Sequence, residues 1–244
     1  MNMLPFVLPV GFQVLLLLRL ISTGLFRRYP AFTAWVSFLA MSTVVLMAYP
    51  DRTETGYRNA WVVSQVIGMI ALFAALTELT NRILEHYPGL RRVTTSGLFG
   101  LLLATAIVVA AGESVDKPVR LALMMQSGWN AVTGVYVIAL VTVTTYLDPR
   151  RRMNIIVHEG VFAAHCAVSA GILQFAAMNH SQKEITTWIG AAAGVIFPLL
   201  WMRMSPAGEV DRRPPAKESA LAPSFAETQA RLDRLEKLVT RSDG

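Results

Sequence analysis

Charge is what this sequence has least of. Asp, Glu, Lys and Arg make up 16% of its 244 residues, against about 25% in a soluble domain. The deficit is concentrated. Arg19 is the one charged residue in 1–26, and the stretches 31–49, 93–111 and 121–147 hold none. A helix crosses a bilayer with about 20 mostly apolar residues, so these runs exclude a water-bathed fold and define a polytopic membrane protein. Cysteine is nearly absent. Cys166 stands alone, which excludes an internal disulfide and any cysteine-rich metal site.

Histidine is scarce too, and badly spaced for a metal. A zinc-binding helix places two histidines at i and i+4. Here His158 and His165 are seven residues apart, about 10 Å along a helix, too far to share one ion with bonds of about 2 Å. His86 and His180 fall in loops on opposite sides, so no haem pair and no other cofactor is expected. The last apolar run has no lysine for a retinal Schiff base. There is no Walker motif, no G-x-S-x-G, no kinase signature and no nucleophile beside a base. The first run lacks a basic leader and a small-residue cleavage site, so it is not expected to be a cleaved signal peptide.

What is there is a set of seven apolar spans, at roughly 4–25, 31–49, 60–76, 93–111, 121–147, 154–178 and 185–202. The expected fold is an all-α, seven-transmembrane-helix bundle over 1–204. Loops after spans 1, 3 and 5 carry eight basic residues (Arg27, Arg28, Arg82, Arg91, Arg92, Arg150, Arg151, Arg152). Loops after spans 2, 4 and 6 carry five (Arg52, Arg58, Lys117, Arg120, Lys183). The positive-inside rule then puts the N-terminus outside and the C-terminus in the cytoplasm. The net charge of +6 follows from this loop bias, and no nucleic-acid partner is expected.

After Met204 the composition changes. Residues 205–223 are rich in Pro and charge and read as a flexible linker. In 224–244, Ser224 and Glu227 form a capping-box pattern. Phe225, Leu232, Leu235 and Val239 lie on a short a/d-type seam of an amphipathic, coiled-coil-like helix. So short a helix is marginal in water alone, which points to a protein partner or to self-association.

Ionisable groups inside spans are costly and therefore candidate sites. Span direction puts Arg19, Glu78, Arg82, His158 and Glu159 in the cytoplasmic half. Their bland role is to neutralise one another and staple spans 1, 3 and 6; their functional role would be a polar pocket or proton relay. The outer half carries amides: Gln65, Gln126, Asn130 and Gln174, with Trp129 and His165. These line a pocket in one reading and glue helices together in the other. Gly97 and Gly100, and Gly190 with Gly194, form small-residue stripes for close packing.

Three stretches, "LFRRYPAFTAWVSF", "ELTNRILEHYPGL" and "NIIVHEGVF", together resemble a family of small bacterial seven-helix inner-membrane proteins with a short charged C-terminal helix and no assigned activity. The resemblance implies a bacterial inner-membrane setting and picks out Arg28, Tyr29, Glu78, Tyr87, Pro88 and His158. The layout also resembles the seven-helix sensor modules of some histidine kinases, though no kinase follows. The expected function is a non-enzymatic membrane sensor or accessory subunit that docks a partner through its tail helix. The alternative is a small-solute or proton-coupled transporter using Glu78, Arg82, His158 and Glu159, and a weaker one is a lipid-modifying membrane enzyme.

Overall fold

The structure, a computed structural model, describes residues 3–49, 55–85, 87–112, 118–147, 152–178 and 183–209. The helices are α1 (Leu4–Ser22), α2 (Pro30–Met47), α3 (Thr55–Ile83), α4 (Pro88–Gly112), α5 (Pro118–Leu147), α6 (Met153–Met178) and α7 (Lys183–Trp201). All seven are long and apolar enough to cross a membrane, and the described residues contain no strand. The chain is a multi-pass, all-helical membrane protein. The tail helix expected over 224–244, with Phe225, Leu232, Leu235 and Val239, lies outside the described residues.

Helices start and stop where local chemistry dictates. Pro30, Pro88 and Pro118 each open a helix, where a missing N–H costs nothing. Gly24 sits at φ 72°, a left-handed conformation that a β-carbon disfavours. It turns the chain out of α1 into a short 3₁₀ segment, Leu25–Arg27. The third span, expected to run on as helix through "ELTNRILEH" before "YPG" stops it, continues as helix to Ile83 and turns at 84–85.

Side-chain meetings fix the arrangement. Phe32 on α2 meets Glu78 on α3, and Gly68 faces Phe38, so these helices run antiparallel. Ser127 of α5 donates to the Ala170 carbonyl of α6, and Gly134 lies against Cys166. On α4, Leu102 accepts a bond from Trp129 of α5. Gly194 of α7 packs on Pro9 of α1 so tightly that a β-carbon there would stand 2.7 Å from Pro9 Cβ. A β-carbon on Gly97 or Gly100, by contrast, would meet nothing within 4 Å. That pair makes no close helix contact.

Helices α1, α2, α3, α5, α6 and α7 thus form a ring, and α4 packs outside it against α5 and α3. Large apolar side chains such as Leu18, Ile70, Val108 and Val135 stay exposed. In a helix bundle of this hydropathy such a belt faces lipid.

The chain beyond α7 departs from expectation. Residues 205–209, the start of the expected linker, pack against the bundle as a 3₁₀ turn, Pro206–Glu209. Asn154 donates to the Ser205 carbonyl at 2.7 Å and accepts from the Ser205 N–H at 3.0 Å, while Glu209 is buried. Proline and charge suggested a solvated segment, but the charged group here has partners waiting for it.

Candidate functional site

The bundle contains two distinct polar regions separated by a layer of aromatic rings. The first is a half-open cavity of about 400 Å³ inside the ring of helices. Phe6, Met47 and Tyr57 stand at its mouth, at the end where α1 and α3 begin. Trp35, Leu72 and His165 lie deepest. Among the described residues, no Asp, Glu, Lys or Arg lines it. Its walls combine Trp35, Trp61 and Trp129 with the amides Gln13, Gln65, Gln126 and Asn130.

Gln13 Oε1, Gln126 Oε1 and His165 Nδ1 are buried on this cavity without a hydrogen-bond partner. Buried polar atoms are nearly always satisfied, so three on one cavity mark it as a place for a ligand or for water. Of the residues expected to form an outer pocket, Gln65, Gln126, Trp129, Asn130 and His165 line it. Gln174 does not. Its Oε1 takes a 3.4 Å bond from Ser127, so it serves as glue between α5 and α6. Trp129 presents its ring, having donated its indole N–H to Leu102 at 3.1 Å. The sequence reading missed Gln13, the one amide in a helix otherwise read for its arginine.

Below the cavity the aromatic layer begins. His165 packs edge-on against Trp35 at 5.3 Å and Phe197 at 5.0 Å. Trp201 contacts Phe32, Trp35, His158, Phe162, His165 and Phe197. His158 is fully buried, with Phe32 at 4.5 Å and Tyr29 at 5.4 Å, and neither of its ring nitrogens has a hydrogen-bond partner.

The second polar region lies beyond this layer, where α1, α3 and α7 end and α2 and α6 begin. Glu209 is its centre. Its Oε1 accepts from the Tyr29 hydroxyl at 2.7 Å and from Asn154 Nδ2 at 2.6 Å, and its Oε2 meets Arg28 at 3.3 Å. The Arg82 guanidinium stacks 4.6 Å over the Tyr29 ring. Burial, then the bond to Glu209, then that carboxylate's charge push the Tyr29 phenol above its ordinary 10.0, against the lowering pull of Arg82 and Arg152. Glu78 reaches across from α3 and accepts the Phe32 backbone N–H at 2.9 Å. A carboxylate there satisfies the first turn of α2 and complements its dipole.

The expected cluster of five is therefore divided. Glu78 and Arg82 form an i,i+4 pair at 3.9 Å, an ion-pair distance too long for a hydrogen bond. Arg19 joins none of the others; it is exposed and reaches the Met204 carbonyl at 3.4 Å. Glu159 is buried on the stripe of α6 that continues through Cys166 and Ala170 toward α5. His158, about 100° further round the helix, faces α2 and α7 instead. Among the residues picked out by the family resemblance, Arg28, Tyr29, Glu78 and His158 gather at this end, whereas Pro88 opens α4 beside an exposed Tyr87.

Among the described residues no group of three His, Cys, Asp or Glu could hold a metal ion. No protein-family model, curated protein or solved structure matches this chain.

Proposed function

We propose that this protein is a non-enzymatic membrane receptor or accessory subunit whose central cavity binds a small uncharged aromatic or heteroaromatic molecule. The observation that carries the reading is the cavity itself. Its volume falls in the 300–1,000 Å³ range typical of small-molecule sites. Walls without charge among the described residues favour a neutral ligand, because an unpaired charge there would have no counter-ion. Indole faces offer stacking, and two unpartnered amide oxygens call for hydrogen-bond donors.

The proposed orientation has the cavity mouth outside and the Glu209 end in the cytoplasm. Among the described residues Arg19, Arg27, Arg28, Arg82, Arg91, Arg92, Arg152 and Arg203 cluster at that end, against Arg58, Arg120 and Lys183 at the other. Such a bias marks the cytoplasmic side, and the proposed setting is a bacterial inner membrane. The segment 224–244 would then meet a cytoplasmic partner, and removing it should abolish that partner's co-purification.

Benzimidazole tests the cavity, since it is flat, neutral and carries one donor and one acceptor. Calorimetric titration of the purified protein should give saturable binding. Gln126→Leu should weaken it by up to about tenfold, the worth of one hydrogen bond. An affinity unchanged in Gln13→Leu/Gln126→Leu would refute the site. Movement of the compound across reconstituted vesicles would replace the receptor reading with that of a carrier.

A further inference from the structure

A second concavity lies on the lipid-facing flank, between the start of α2 and the end of α3, and the cavity reading does not involve it. Its upper part is basic. Arg27, Arg28, Arg82 and Arg152 line it, with Glu78 and Glu85 as its acids. Both acids are occupied: Glu78 by the first turn of α2, and Glu85 by Arg152 at 3.7 Å. The arginines keep unused donors. Arg28 is 54% exposed and spends one nitrogen on Glu209. Arg82 Nε is buried without a hydrogen bond, and so is the neighbouring Thr77 hydroxyl. Arg27 rests over the Phe26 ring at 5.5 Å.

The lower part is apolar. Ile70, 61% exposed, and Ala74 continue the groove along α3. Ile70, Phe73, Ala74 and Thr77 line the groove over about 10 Å of helix. A site cationic at the level where the helices end, and greasy for the next 10 Å into the membrane, matches one kind of molecule.

We propose that this groove is a binding site for an anionic glycerophospholipid. The phosphate would sit among Arg27, Arg28, Arg82 and the Thr77 hydroxyl, and an acyl chain would lie along Ile70 and Ala74. Arginine forks bind phosphate oxygens in pairs, and basic pockets at the ends of transmembrane helices recognise acidic head groups. A soluble anion would use the arginines but leave the apolar half unfilled. A zwitterionic lipid would fill the groove but bring no net charge to its cations.

The test uses the full chain, purified in a neutral detergent and stripped of lipid. Thermal unfolding is followed with added phosphatidylglycerol, phosphatidylcholine or glycerol 1-phosphate. Phosphatidylglycerol should raise Tm above the value with phosphatidylcholine, and glycerol 1-phosphate should not. Arg27→Gln/Arg28→Gln should erase the difference between the two lipids. Arg91→Gln/Arg92→Gln, removing equal charge outside the groove, should keep it. Should the double variant misfold, Arg27→Gln alone breaks no side-chain hydrogen bond among the described residues and should still shrink the difference. An equal shift from phosphatidylcholine, a shift from glycerol 1-phosphate alone, or equal loss in the Arg91/Arg92 control would each overturn the proposal.

Discussion

Replacing Tyr29 by Phe removes one oxygen from the most constrained polar cluster in the molecule, and the consequence can be worked through. The phenol donates to Glu209 at 2.7 Å in a site where both residues are buried. A hydrogen bond to a charged group is worth about 1.5–3 kcal/mol. Glu209 keeps its bond from Asn154, so the carboxylate is not orphaned and the lower half of that range applies to the single change. For a chain of this size about 1 kcal/mol moves Tm by 2–4 °C, so Tyr29→Phe should lower it by roughly 3–9 °C. A double-mutant cycle with Glu209→Gln isolates the pair, since removing either partner should make the other substitution cheaper. The pH dependence has a definite sign. The folded phenol is held above its ordinary 10.0, whereas the unfolded chain releases that proton near 10. The contribution is complete below about pH 10 and is lost as pH rises above it. Wild type should therefore lose stability between pH 10 and 11 more steeply than Tyr29→Phe. Thermal unfolding in detergent between pH 8 and 11 reads both effects. Additive single mutants, or parallel alkaline limbs, would refute the argument.

Two further outcomes follow from the packing. Gly194→Ala should lower stability by about 1–3 kcal/mol, the usual cost of overpacking. Its β-carbon would meet the rigid Pro9 ring at 2.7 and 3.0 Å, whereas Gly128→Ala would push only on the Thr105 methyl and should cost less by the same thermal assay. Leu101→Arg places a cation on the exposed flank of α4, at a penalty of about 2.5–3.5 kcal/mol near a span centre. Glycosylation-tagged fusions should report a sharp drop in insertion of that helix.

The helices were legible because lipid imposes one blunt demand, about 20 residues without charge, and 31–49 or 121–147 meet it whatever their neighbours do. Amides inside such runs are rare enough to notice, so Gln65, Gln126 and Asn130 drew attention before any coordinates. Their direction was not legible. Gln126 points into the cavity and Gln174 into the α5–α6 seam, and that depends on which neighbour each helix face meets. Arg19 was visible as a buried-looking charge, yet at the last turn of α1 its long side chain escapes to the surface. The aromatic layer left no signal at all. Phe32, Trp35, Phe162, Phe197 and Trp201 read as ordinary apolar residues on three different helices. Glu209 hid for the opposite reason: a carboxylate in a proline-rich stretch looks solvated until Tyr29 and Asn154 are seen to receive it.

The position of the aromatic layer also weighs on how the two polar regions can communicate. A proton path from the cavity to Glu209 would need hydrogen-bonded groups in series, and His165 and His158 are the polar side chains that could supply it. They are separated by Trp35, Phe162 and Trp201, and His158 has no hydrogen-bond partner on either nitrogen. What does connect the two halves is rigid packing. Trp201 touches His165 at the cavity floor, and three residues later Met204 offers its carbonyl to Arg19, with Ser205 held by Asn154. A ligand that shifted His165 would press on Trp201 and, through one short stretch of chain, on the turn that carries Glu209. Close-packed interiors transmit displacement of this kind because they cannot deform continuously. A receptor could use that coupling, whereas a carrier would have to break the layer apart in every cycle.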